Sequence, residues 1–303
     1  KGIPMENLRG SALMVLAMAG FALEDMFIKR LSGDLPVGQI LMLLGAGGAV
    51  IFGLAALSRG HALLSRDLLT WPVMLRNLGE LIGTIGFVTA IALTPLASAS
   101  AILQATPLAV TLGAALFLRE RVGWRRWSAI LVGFAGVLMV IRPGLSGFEP
   151  ASLFAVQAVF GLAMRDLATR AVPHTVTSMQ LSSYGFATIV PAGALLLWLS
   201  GGAVSPSAAN WRDIAFALLL GVAAYYAIVA AMRVGEVSFV TPFRYTRLIF
   251  ALVIAVLIFD EQPDALTLVG AAIIIASGLY TLLRERRLRR QARRDARHKA
   301  AMR

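Results

Sequence analysis

The chain is written twice. Adding 141 to Asp25, Lys29, Gln39, Gly60 and Glu120 gives Asp166, Arg170, Gln180, Gly201 and Glu261, which is four identities and one basic pair without a gap. Each copy holds five apolar spans. An odd number of spans obliges the second copy to enter a membrane upside down relative to the first. Two equal inverted halves can rock about one central site, which is the usual build of secondary transporters.

Composition fixes the solvent. Of 303 residues, 58% are hydrophobic and 15% charged, against roughly 45–50% and about 25% in soluble globular domains. A spanning helix needs about 20 mostly apolar residues. Spans are expected near Leu8–Ile28, Val37–Leu57, Pro72–Leu93, Ala97–Leu118, Trp124–Ile141, Leu153–Leu167, Val176–Leu199, Ile214–Met232, Ser238–Phe259 and Ala265–Leu283. The predicted fold is therefore all-α: ten transmembrane helices as two inverted five-helix repeats, residues 8–141 and 152–283, around a central cavity, with a basic tail at 284–303.

The net charge of +12 is concentrated where a membrane would place it. Arg284, Arg286, Arg287, Arg289, Arg290, Arg293, Arg294, Arg297 and Lys299 crowd the tail, a juxtamembrane segment that attracts anionic headgroups and does not point to nucleic acid. Cytoplasmic loops carry excess Lys and Arg. Both termini on the inside put Arg59, Arg66, Arg119, Arg121, Arg125, Arg126, Arg170 and Arg233 there too, and leave Asp34, Glu149, Asp213, Asp260, Glu261 and Asp264 outside with Lys29, Arg30, Arg142 and Arg212. Trp71, Trp124, Trp127, Trp198 and Trp211 fall at span ends, as an aromatic belt requires. The first apolar run is full-length and belongs to the repeat, so no cleavable signal peptide is expected.

Enzyme chemistry has few candidates. An intramembrane hydrolase needs an activated nucleophile or a metal. There is no cysteine, and His61, His174 and His298 lie in loops or tail without ligand spacing, so no metal site is expected. A channel would draw its filter from rings of like groups, whereas the interior charges here are scattered and of both signs.

Gly45, Gly47 and Gly48, and Gly79, Gly83 and Gly86, form small-residue faces that let helices approach closely. Pro107, Pro242 and Pro191 interrupt spans and free backbone carbonyls, which in a membrane must be satisfied by protein or cavity water. They are the expected hinges.

A charge at bilayer depth costs at least about 2.5 kcal/mol and usually marks the transport route. Glu24 and Asp25, Arg76, Asn77 and Glu80, and Arg244, Tyr245 and Arg247 lie within spans, with Gln104, Tyr184, Tyr225 and Tyr226 at similar depth. Local pairing is expected for Arg76 with Glu80 and for Asp25 with Lys29, with Arg76 and Arg247 also able to snorkel. Arg244 and Glu80 differ from the rest: their counterparts in the other copy are Leu103 and Gly221. Charges present in one copy only suggest halves that do different work. The expected binding set is Arg244 for a carboxylate, Glu80 or Glu24 for an ammonium, and Asn77, Gln104, Tyr184, Tyr225 and Tyr245 around the remainder. Glu24, Asp25 and Glu80 are the candidates for a coupling proton.

Two five-span halves, each with a Pro-containing fourth helix and a short acidic turn, are seen at Ala105-Thr106-Pro107 through Leu118-Arg119-Glu120 and at Thr241-Pro242-Phe243 through Phe259-Asp260-Glu261. Gly-containing helices, Ala129–Ile141 and Leu266–Leu283, follow both. From about Leu8 to Leu283 this resembles the drug/metabolite transporter superfamily, in particular EamA-type exporters of the YddG-like amino-acid group. The resemblance implies alternating access, export of aromatic or other amino acids across a bacterial inner membrane, no cofactor, and a monomer sufficient for function. Export of cationic drugs or other metabolites on the same fold is the alternative. The second copy departs from the first in carrying Leu248 where the first has Pro107, which puts mirror symmetry of these helices in question.

Overall fold

A computed structural model describes residues 5–63, 66–119, 123–145, 147–173, 175–234 and 237–301, and among them the chain is helical with no strand. The helices are α1 (Met5–Leu31), α2 (Val37–Leu57), α3 (Trp71–Leu93), α4 (Leu96–Leu103), α5 (Thr106–Phe117), α6 (Trp124–Ile141), α7 (Ser152–Thr169), α8 (Ser178–Leu199), α9 (Ala208–Val234), α10 (Val237–Val240), α11 (Thr246–Phe259) and α12 (Ala265–Ala301). The fourth crossing is α4 with α5; the ninth is α10, a tight 3-10 turn at Thr241–Tyr245, and α11. Among the described residues these make ten crossings.

Among the described residues eight crossings are long and apolar enough to span a bilayer on composition alone. The other two, α3 and α7, carry Arg76 and Glu80, and Arg165 and Asp166. They lie against each other, so each covers the other's polar stripe.

The inversion is visible in the packing. The start of α2 at Gly38 lies on the backbone of α8 at Leu197, so the second helix of one repeat runs antiparallel to its own copy. Helices α6 and α12 meet the same way, Gly136 against Gly270. Helix α1 packs along α9, and α3 along α7. A shift of 141 residues converts the first of these contacts into the second: Gly20 touches Ala224, and their counterparts Gly161 and Gly83 bring two backbones into contact. Each of the four most extensive helix contacts joins one repeat to the other.

The repeated residues acquire physical reasons. Gly60 and Gly201 both follow a helix C-terminus with positive φ, +78° and +97°, where a Cβ is strained. Arg119 and Asp260, also 141 apart, share the left-handed conformation at φ 53° and 52°. Gln39 Nε2 donates to the Val204 carbonyl at 2.7 Å, and Gln180 Nε2 to the Ala62 carbonyl at 2.7 Å. Each glutamine thus clasps a loop of the other repeat. Glu120 lies outside the described residues, as do Arg121, His174 and the side chains of Arg233, His298 and most of the basic tail; the tail backbone continues α12 to Ala301.

The helix breaks are equivalent despite the displaced proline. Pro107 stands second in α5 and cannot donate to the Leu103 carbonyl; the Thr106 hydroxyl donates there instead, at 2.6 Å. Pro242 sets the 3-10 turn in the other copy. Gln104 and Tyr245, 141 apart, sit at the two breaks and touch, the Gln104 amide 3.4 Å from the Tyr245 carbonyl. Pro191 behaves differently: α8 runs through it without interruption.

Candidate functional site

One face of the bundle gathers the ends of α1, α3, α6, α8 and α11 with the starts of α2, α4, α7, α9 and α12, and polar links between repeats bind it together. Glu261 accepts the backbone N–H groups of Leu96 and Ala97 at 2.7 and 3.0 Å, at the N-terminus of α4. This is where the helix leaves donors unpaired and favours a negative charge. Lys29 pairs with Glu261 at 3.2 Å and donates to the Thr94 carbonyl at 2.8 Å. Arg30 pairs with Asp213 at 3.3 Å, and Asn210 donates to Asp34 at 2.7 Å. Arg142 binds Asp264, and that hydrogen bond holds the exposed Asp264 carboxyl down at about 2. On the opposite face the described links between repeats include the Tyr184 hydroxyl to the Leu63 carbonyl at 2.6 Å and Thr175 to Asp67 at 3.0 Å.

Inside the bundle most charges are matched. Asp25 is 2% exposed and accepts from Arg247 through Nε at 3.1 Å and Nη2 at 2.7 Å. The Arg247 guanidinium also lies 5.3 Å from the Phe21 and Phe87 ring centres. Asp25 is therefore held by a residue 222 positions away and not by Lys29, which is committed to Glu261. Arg247 does not reach for the interface, because its charge is neutralised in place. Arg76 likewise stays inside, donating to Glu80 at 2.7 Å, to the Leu181 carbonyl at 2.9 Å and to Asn77 at 3.1 Å. Arg165 reaches Glu80 from the other side at 3.3 Å and Asp166 at 2.8 Å. Glu80 is thus enclosed by two guanidinium groups.

Two interior charges stand apart. Among the described residues Glu24 and Arg244 have no hydrogen-bond or ion-pair partner, although both are only partly exposed. Glu24 lies over Gly221 of α9: a Cβ added there would sit 2.5 Å from its Oε1. Asp25 and Arg247 act electrostatically on Glu24, and Asp166, Arg165 and Arg247 on Arg244.

The aromatic candidates separate. Tyr245 is 5% exposed, packs on Gly278 of α12, and its hydroxyl has no partner. Tyr225 stacks edge-on against Phe52 and donates to the Ser178 carbonyl at 3.3 Å. Tyr184 belongs to a packed cluster with Val73, Val176 and Leu181 under the loop it bonds to, and Arg76 donates to the Leu181 carbonyl of the same cluster. Tyr226 is 62% exposed on the outer surface.

Sequence reasoning missed Arg165 as the second clamp on Glu80. The signal was present: the counterpart of Arg165 is Glu24, a charge of opposite sign. The comparison that singled out Arg244 and Glu80 asked for a charge in one copy only and so passed over a pair whose charge reverses sign.

Relatives among characterised proteins are membrane transporters. The chain is 27% identical over 289 residues to a riboflavin transporter of Rhizobium johnstonii, covering 95% of both chains. It is 27% identical over 223 residues to an S-adenosylmethionine uptake transporter of Rickettsia bellii, covering 71% of this chain and 73% of that one. It is 29% identical over 280 residues to the pseudopaline exporter CntI of Pseudomonas aeruginosa, covering 88% and 94%. A solved crystal structure shares the fold with a TM-score of 0.60 at 21% identity, over 92% of this chain and 99% of that one. The helical inverted repeat and the match of residues 8–142 and 150–283 to the EamA-like transporter family place this multi-pass membrane protein in that family.

Proposed function

We propose that the protein is a secondary carrier of small zwitterions of the amino-acid type, with Arg244 taking the carboxylate and Glu24 the ammonium. The observation that carries this reading is that, among the described residues, these two opposite charges lack a hydrogen-bond or ion-pair partner while Asp25, Arg247, Arg76, Glu80 and Arg165 are matched. An unpaired ion at this depth is costly, and a ligand bearing both charges relieves both. Glu80, enclosed by Arg76 and Arg165, is assigned to holding α3 on α7, and Asn77 to steadying Arg76. Gln104 and Tyr245, at the paired helix breaks, line the axis about which residues 8–141 and 152–283 move, with Pro107 and Pro242 as the bending points. Glu24 is the carboxylate that exchanges its proton for the ligand's cation; Asp25 and Glu80 stay with their arginines.

The named relatives carry different cargo in both directions, so net flux is assigned to the gradients and not to a built-in direction. The distribution of Arg9, Arg59, Arg66, Arg119, Arg125 and Arg126 on the terminal face supports cytoplasmic termini in a bacterial inner membrane, with the basic tail on anionic headgroups.

Counterflow in vesicles of purified protein tests the assignment. A panel of amino acids, their desamino acids and their decarboxylated amines is offered to the wild type, Arg244→Ala and Glu24→Gln. Charge-assisted hydrogen bonds are worth roughly 1.5–3 kcal/mol, so each variant should bind its zwitterion about 10- to 150-fold more weakly. Unchanged uptake of every amino acid by Arg244→Ala would overturn the reading.

A further inference from the structure

The pseudo-two-fold relation places two unlike arrangements in the same geometric setting. Between α7 and α3, Arg165 reaches across to Glu80. A shift of 141 turns this pair into Glu24 on α1 and Gly221 on α9. The helices meet at equivalent points in both places, Gly161 on the backbone of Gly83 in one interface and Gly20 on the Cβ of Ala224 in the other. One interface is thus closed by a built-in ion pair. The other keeps a carboxylate and replaces its partner with nothing.

The carboxylate does not fill that gap by bonding elsewhere. It lies over residue 221 of α9, where an added Cβ would sit 2.5 Å from Oε1, 2.8 Å from Cδ and 3.0 Å from Oε2. Those distances are below ordinary contact, so any side chain at residue 221 displaces the carboxylate. The conflict is with the mobile end of Glu24 and not with backbone, which makes the displacement possible without unfolding.

We infer that Gly221 is the residue that positions the Glu24 carboxylate, so that the place occupied in the other half by an internal arginine–glutamate pair is left for the cationic group of the transported ligand. This rests on the zwitterion reading above. The ligand class it specifies is a primary or lightly substituted ammonium carried on a carboxylate-bearing molecule. A desamino analogue gains nothing from the arrangement.

The experiment is a four-corner cycle of wild type, Gly221→Ala, Glu24→Asp and the double variant, in counterflow with a transported amino acid and its desamino acid. Gly221→Ala should raise the half-saturation concentration for the amino acid roughly tenfold or more and leave the desamino acid unchanged. Glu24→Asp alone should also weaken the amino acid, because the shortened carboxylate withdraws. In the double variant the shorter side chain no longer meets the added methyl, so half-saturation should stay within about threefold of Glu24→Asp alone instead of summing the two losses. An amino-acid affinity indifferent to Gly221→Ala, equal loss for amino and desamino acids, or a double variant in which the two losses sum would overturn the inference and leave the zwitterion assignment standing. A wild type that takes up no amino acid in the panel would overturn both.

Discussion

Glu261 offers a direct measure of how firmly the Lys29 face is held shut. Its carboxylate joins three groups at once: the Leu96 and Ala97 amides of α4, and the Lys29 ammonium. Glu261 and Lys29 side chains are 12% and 16% exposed, so solvent screens them little. Glu261→Gln keeps the shape and removes the charge. The charge-assisted bonds to the helix terminus and the pair with Lys29 together contribute roughly 2–3 kcal/mol, which converts to a roughly 30- to 150-fold shift in the closed-to-open ratio. The chain contains no cysteine, so one introduced thiol reports without background. Ser100 on α4 is 3% exposed with an unpartnered hydroxyl, which makes Ser100→Cys a mild change. The rate at which a membrane-impermeant maleimide labels that thiol then follows the population of the open face. It should rise by that factor when Glu261→Gln is added. Rates within about threefold of each other would refute the idea that this cluster holds the face closed.

Removing Arg247 as Arg247→Met strands Asp25 in the interior and should cost about 3–5 kcal/mol, read as a fall in melting temperature in detergent; adding Asp25→Leu should recover more than half of the loss. Gly83→Leu drives a side chain into Gly161 and Leu162, and should prevent α3 from seating on α7, seen as aggregation in size-exclusion profiles. Asp264 is held at about 2 by the Arg142 hydrogen bond, against an ordinary value of 3.8. Its contribution is therefore complete above pH 4 and lost as pH falls through 2. Asp264→Asn should remove the corresponding acid-dependent drop in thermal stability, a small one because the group is half exposed.

The fold was legible because its signals are local. Five apolar spans per copy and a constant offset of 141 residues require only counting, and the reasons behind that offset are themselves backbone matters: left-handed residues at Gly60 and Gly201, and glutamine clasps at Gln39 and Gln180. The site was legible only in part. Arg76 with Glu80 could be read because residues four apart share a helix face. Asp25 with Arg247, and Arg165 with Glu80, could not, because their meeting depends on which helices of opposite repeats adjoin. Local reasoning assigned Asp25 to Lys29, the charge four residues on, and the tertiary contact won. The breaks at Gln104 and Tyr245 were half visible: the prolines were plain, but their different positions hid that both interrupt the helix at equivalent points.

The mutual dependence of α3 and α7 bears on how the chain is made. Arg76 meets Glu80 within α3 and Arg165 meets Asp166 within α7, while the second guanidinium on Glu80 comes from the other repeat. When α3 leaves the ribosome, α7 has not yet been synthesised. Until α7 follows, Glu80 has the Arg76 guanidinium of its own helix but not that of Arg165, and the polar stripe of α3 lies uncovered at a depth where charge is costly.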